Sequence, residues 1–234
     1  MLLMLALVGA RPALAQEGFN LSWDDCGVAG SATKTFACDN NDQTFALVVS
    51  VQTVSPINSV YYAGFDLDFK FDQPAPSSWW PLIGPASCRL GALNPTVLFP
   101  SSMNACARPP MPGFPMVIGN PSYPSPYITR VRIFVLTDQG FTGSFAPGIE
   151  IYLARVEIRT LKTVGAGACS GCGTGVGNAV NVVELIRLPA VGPRRYLFTP
   201  IHSGTVSWQG GSGHCAQSVE AKRPTWGAIK QLYH

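Results

Sequence analysis

Charge is scarce in this chain: Asp, Glu, Lys and Arg make up 12% of its 234 residues, about half the usual share for a soluble domain. The formal net charge of +3 is too small for the basic footprint that grips a phosphate backbone, so neither DNA nor RNA is an expected partner. Histidine is almost missing. The three present, His202, His214 and His234, are too few and too scattered to make a catalytic or metal-binding cluster. No stretch reaches about 18 uninterrupted apolar residues, the length a membrane-spanning helix needs. The Gly-x-Ser-x-Gly elbow of serine hydrolases is absent; Gly171-Cys172-Gly173 and Gly211-Ser212-Gly213 are the nearest strings. The glycine-rich stretch Gly165–Gly177 has neither the following helix nor the lysine of a phosphate cradle. No cofactor is expected.

Glycine and proline, by contrast, are plentiful. The 24 Gly and 20 Pro spread through the chain imply short strands joined by many turns. The first residues, MLLMLALVGARPALA, form an apolar run ending in Ala13-Leu14-Ala15, and read as a signal peptide, residues 1–15, cleaved before Gln16. Losing Arg11 with it lowers the formal charge from +3 to +2. Residues 16–234 are then expected to be a single secreted or periplasmic domain, large enough for a substantial core.

Seven cysteines fit an oxidising compartment. Pairing nearest neighbours gives Cys26–Cys38 and Cys88–Cys106, and leaves Cys169 and Cys172 to close a small disulfide between themselves. Zinc at the Cys169-x-x-Cys172 pair would need a second such pair, and His214 and Cys215 alone are at hand, so no metal site is expected. A redox-active dithiol normally opens a helix, and the flanking GAGA and GTGVG favour none. Cys215 is the odd one: a free thiol, a partner to one of the six in a different pairing, or an intermolecular link. Asp39-Asn40-Asn41-Asp42 lacks the alternate carboxylate spacing of a calcium loop and reads as an Asx-rich turn.

The strongest pattern is Tyr61–Asp72, in which Phe65, Leu67, Phe69 and Phe71 alternate with Gly64, Asp66, Asp68 and Lys70. That period of two describes a strand with one buried and one wet face. Further strands are expected at Gly18–Trp23, Gln43–Thr53, Ile128–Thr137, Ile149–Thr160, Ala179–Leu188, Tyr196–Pro200 and Gly204–Gln209. In Gln43–Thr53, Ala46 and Val48 make the second face apolar as well, which predicts a central strand. In Ile149–Thr160 the apolar positions change phase near Ala154-Arg155, which predicts a β-bulge or a break. Such a set belongs to an all-β, antiparallel β-sandwich, the architecture of immunoglobulin-like domains.

Between Gln73 and Tyr127 lie 13 of the 20 prolines, and proline removes ladder donors, so this stretch reads as a long disulfide-pinned excursion outside the sheet interior. Trp79, Trp80, Tyr123 and Tyr127 are its candidate binding residues. The two tryptophans serve either as an open platform for sugar rings or as a plug in the sandwich; Pro81-Leu82-Ile83 extends the apolar run and favours the plug. At the other end, Thr225 is placed to cap a short helix over residues 225–233, whose stripe is Trp226, Ile229 and Tyr233.

The best catalytic case is a carboxylate pair for glycosidic cleavage, drawn from Asp24, Asp25, Asp66, Asp68 and Glu157. No nucleophile, base and orienting group can be named together, so no catalytic residue is assigned and an enzyme is not expected.

Several strings resemble a group of uncharacterised secreted bacterial β-sandwich proteins: NLSWDDC, FACDNN, GAGACSGC, VSWQGG and TWGAIKQLY. More distantly, GFDLDFKF and the later IEIYLARVEIR resemble the paired strands of cohesin-like and carbohydrate-binding modules. Together these readings point to a non-catalytic extracellular or cell-surface module with a structural or adhesive role, its partner a polysaccharide or a cell-surface protein. The alternative is a carbohydrate-binding module using exposed aromatics, followed by a glycoside hydrolase.

Overall fold

The computed structural model describes residues 17–74, 77–109, 116–118, 121–136, 143–187, 195–201 and 203–212. The expected signal peptide, the three histidines, Cys215 and the expected 225–233 helix lie outside these residues. Thirteen strands are found among them, numbered in chain order. They begin with β1 (Gly18–Trp23), β2 (Thr33–Lys34), β3 (Thr44–Gln52), β4 (Ile57–Phe71) and β5 (Leu93–Thr96). There follow β6 (Met116–Ile118), β7 (Ser122–Ser125), β8 (Ile128–Leu136) and β9 (Gly143–Phe145). The last are β10 (Glu150–Arg159), β11 (Val176–Arg187), β12 (Arg195–Phe198) and β13 (Thr205–Trp208).

Two sheets pack face to face as a β-sandwich. The smaller has the order β1-β3-β10-β5; the larger, of nine strands, runs β2-β13-β11-β4-β8-β6, with β12 on β11, β7 on β8 and β9 on β4. All pairings are antiparallel except β13 with β2. The phenylalanines of β4 supply the middle of the core, as their alternation demands. Phe65, Leu67, Phe69 and Phe71 are buried against Leu47, Val49 and Val51 of β3 and Val156 and Ile158 of β10. Each such side chain contributes roughly 1.5–3 kcal/mol.

β3 is central, between β1 and β10, and its second apolar face is covered. Val48 lies under Met103, Tyr152, Phe99 and the Cys26–Cys106 bridge, all on the outer side of the smaller sheet. The phase change in β10 is a bulge, between Tyr152 and Ala154. A second bulge interrupts β11 between Val180 and Val182.

The proline-rich excursion contributes three strands that its composition hid. β5 pairs with β10, while β6 and β7 pair with β8. Pro95 and Pro124 lie in β5 and β7, at sheet edges, where a missing N–H breaks no interior ladder. β9 likewise forms outside the expected strands and pairs with β4.

The nearest-neighbour disulfide pairing is wrong. The bridges are Cys26–Cys106, Cys38–Cys172 and Cys88–Cys169, so no cysteine pairs with its sequence neighbour. The reason is topological: the glycine-rich loop after β10 is carried to the end of the sandwich, between the Cys38 loop and the start of the excursion. Asn41 fastens the same loop, its Oδ1 accepting from the backbone N–H groups of Thr163 at 2.7 Å and Val164 at 3.1 Å. The bridges span 80, 134 and 81 residues. On chain-entropy grounds, loops of about 100 residues contribute about 4–5 kcal/mol each. Three such bridges belong to a non-cytoplasmic, oxidising setting. No helix among the described residues is long and apolar enough to cross a membrane.

Candidate functional site

Trp79 and Trp80 do not form an open platform. They are 0% and 1% exposed, and they fill one end of the sandwich. Trp208 is the hub there, with ring centroids 5.5 Å from Trp79, 5.3 Å from Trp80, 5.2 Å from Trp23 and 4.2 Å from Phe36. Trp79 donates from Nε1 to Thr163 Oγ1 at 3.0 Å, and its ring carries the Arg89 guanidinium 3.2 Å from the centroid. Arg89 is itself buried. It donates to the carbonyls of Leu161 and Trp79, each at 2.9 Å, and to that of Arg159; burial pushes its pKa down to about 9. This cation and the Cys88–Cys169 bridge fasten the excursion to the sheet. Tyr123, on β7, is exposed, whereas Tyr127 is partly buried in the turn just before β8.

The candidate acids are not brought together. Asp24 pairs with Lys34 near the end of β1, and Asp25 Oδ1 accepts from the Cys26 N–H at 2.8 Å. Glu157 lies on the smaller sheet, bound to Asn94 at 3.0 Å and Arg155 at 2.5 Å. Asp66 and Asp68 share the outer face of β4, yet that face is not the wet one their pattern implies: they are 5% and 1% exposed.

What covers them is the neighbouring strand. The β4–β8 register sets Asp66 opposite Arg132 and Asp68 opposite Arg130. Arg130 donates to both oxygens of Asp68, at 2.7 and 3.0 Å, and Asn181 adds a third donor. Arg132 donates to both oxygens of Asp66, at 2.5 and 2.6 Å. A fork on a carboxylate is the strongest common form of ion pair. These hydrogen bonds hold both arginines above the ordinary guanidinium range.

The ladder continues on β11. Glu184 accepts from Arg195 Nε at 2.7 Å and from the Tyr62 hydroxyl at 3.1 Å. Burial, then the Glu184 carboxylate, pushes the Tyr62 pKa up, so the phenol stays a donor. Tyr62 reaches Glu184 by lying along β4 past Gly64. A Cβ at Gly64 would sit 2.6 Å from the Tyr62 hydroxyl oxygen, so the glycine makes room for the ring. Phe134 flanks it, with centroids 5.6 Å apart. The outer face of the larger sheet thus carries three carboxylates held down by three guanidiniums, with the Tyr62–Phe134 aromatic pair beside them.

Chemically this array can bind but offers no acid–base pair. A glycosidase needs one carboxyl to deliver a proton and a second to attack or to activate water; here both oxygens of Asp66 and of Asp68 are engaged by arginine. Nor is there a thiolate site among the described residues. Asp25, Cys26 and Cys106 are close enough to hold a cation, but the two sulfurs are bonded to each other. Cys169 and Cys172 are likewise committed to separate bridges.

Sequence pattern does not single out Tyr62, Arg130, Arg132, Glu184 or Arg195. The available signal is the match between Asp66-Leu67-Asp68 and Arg130-Val131-Arg132, two opposite charges at the same period on two strands.

No family model and no curated protein matches the chain. Among solved structures it is similar to a cohesin module from the family 33 glycoside hydrolase of Clostridium perfringens ATCC13124, with TM-score 0.36 and 8% identity over 82% of this chain and 96% of that one. It is also similar to AvmM, described as catalysing macrocyclisation in alchivemycin A biosynthesis, with TM-score 0.36 and 8% identity over 81% of this chain and 90% of that one. At these values neither neighbour transfers its role to this chain.

Proposed function

We propose that the protein is a non-catalytic extracellular module with an adhesive role, which offers the outer face of its larger sheet to a partner at the cell surface. The observation that carries this reading is the pair of two-point contacts Asp66–Arg132 and Asp68–Arg130. They commit the acids of the face to holding guanidiniums in place, with Arg132 still half-exposed. Polar groups fixed in advance lose little freedom on binding, which favours recognition over chemistry. Three bridges and the leader-like start fit a life outside the cytoplasm.

A carbohydrate partner is the second reading, favoured by the Tyr62 ring lying along the strand beside Glu184 and Arg195. Sugar rings stack on such aromatic faces, with charged groups around them to take up hydroxyls. A glycan array and a hydrolysis screen on the same polysaccharides test both readings, with binding to intact bacterial cells measured alongside. The adhesive reading expects saturable binding without turnover on cells, and the carbohydrate reading expects it on the array; release of reducing ends would overturn both.

A further inference from the structure

Four polar atoms in the middle of the aromatic core have no hydrogen-bond partner: Trp80 Nε1, Trp208 Nε1, and the amide oxygen and nitrogen of Asn178. All three residues are at most 1% exposed. Buried groups of this kind are almost always satisfied in native proteins, so four in one region call for a physical reason.

The register brings them together. Asn178 is on the core side of β11, opposite Phe69 on β4 and Val206 on β13; two residues earlier, Val176 lies opposite Phe71 and Trp208. Trp80 has its ring 6.1 Å from Phe69, 6.3 Å from Phe71 and 5.3 Å from Trp208. It therefore lies over the Val176–Asn178 stretch, between the strands on either side. The register and the ring contacts thus set two indole N–H donors and one amide that both accepts and donates around the same Val176–Asn178 stretch of the core.

We infer that this place is a binding site for an internal water molecule, held between Trp80, Trp208 and Asn178. Water suits three of these four atoms: its oxygen accepts from both indoles while one of its hydrogens is donated to the Asn178 oxygen, which leaves the Asn178 amide nitrogen as the one atom it does not partner. An ion does not suit it, since the surroundings are aromatic and aliphatic and would not offset its desolvation. The competing account is that each indole N–H points into a neighbouring ring face, for which the 81° angle between Trp80 and Trp208 is suitable.

Solution NMR on protein labelled with 15N at tryptophan separates the two. Rotating-frame cross-peaks between water and the indole protons are expected for both Trp80 and Trp208, from a water residing longer than nanoseconds. Trp23 is the internal control, because its Nε1 donates to the Ser207 carbonyl at 2.9 Å; no cross-peak is expected there. In Asn178→Leu both water cross-peaks should disappear. Absence of the cross-peak at either indole in the unaltered protein overturns the assignment, and so does its persistence in a folded Asn178→Leu variant. The wild-type measurement decides the matter by itself if that variant does not fold.

Discussion

Asp68 and Arg130 meet across β4 and β8 in a two-point contact, the carboxylate 1% exposed and the arginine about one-third open to water. The asymmetry governs the energetics. As a partly exposed pair its net contribution is only on the order of 1 kcal/mol. Removing one member is another matter, because the carboxylate cannot reach water. Arg130→Ala is expected to cost about 3 kcal/mol by urea denaturation, whereas Asp68→Asn with Arg130→Gln should recover most of it. A loss below about 1 kcal/mol in the single variant would show that Asp68 is hydrated after all.

Trp79 and Trp80 are core residues, so each replacement by Ala should cost about 3–5 kcal/mol. The double variant should fail to fold, since that loss rivals the stability of a typical domain. A folded double variant with nearly unchanged melting temperature would contradict their burial.

Non-reducing peptide mapping is expected to recover Cys26 linked to Cys106, Cys38 to Cys172 and Cys88 to Cys169. A peptide closed between Cys169 and Cys172 would mean that the loop is not tied to two distant segments.

Alkaline pH should weaken the fold. Tyr62 and Tyr152 both have pKa values raised above the ordinary 10.0, chiefly by burial. Above pH 10 the unfolded chain then loses phenolic protons that the native state keeps, so stability is fully present below that pH and falls above it. Phenolate absorbance from these two residues is expected to appear only with unfolding, and Tyr152→Phe should reduce the alkaline loss. Ionisation of both within an intact fold would refute the shift.

The sandwich is legible in the sequence wherever one face alone decides a strand. β1, β3, β8 and β10 fall within a residue of their alternating segments, because a period of two leaves little freedom once the core side is chosen. Where pairing decides, sequence pattern is silent. Thr33–Lys34 and Leu93–Thr96 become strands only because a neighbour offers an edge, and Pro95 disguises Leu93–Thr96 further by removing a ladder donor. The ladder is half legible: Asp66 and Asp68 stand out as acids on an outward face, but their burial depends on which strand lies beside β4. Disulfide connectivity poses the same difficulty on a larger scale, since Cys38 and Cys172 are 134 residues apart in the chain.

The measurement that bears most directly on the proposed role compares the wild-type protein with Arg195→Glu on intact cells and on the polysaccharide panel. Arg195 is mostly exposed and pairs with the buried Glu184 carboxylate at the rim of the ladder; its reversal is expected to lower the melting temperature, so binding is compared at a temperature where circular dichroism shows both proteins folded. The account predicts saturable wild-type binding, a loss of at least about tenfold in the variant, equivalent to about 1.4 kcal/mol, and no polysaccharide cleavage by either. Equal binding by the two proteins, or cleavage by the wild type, would contradict it.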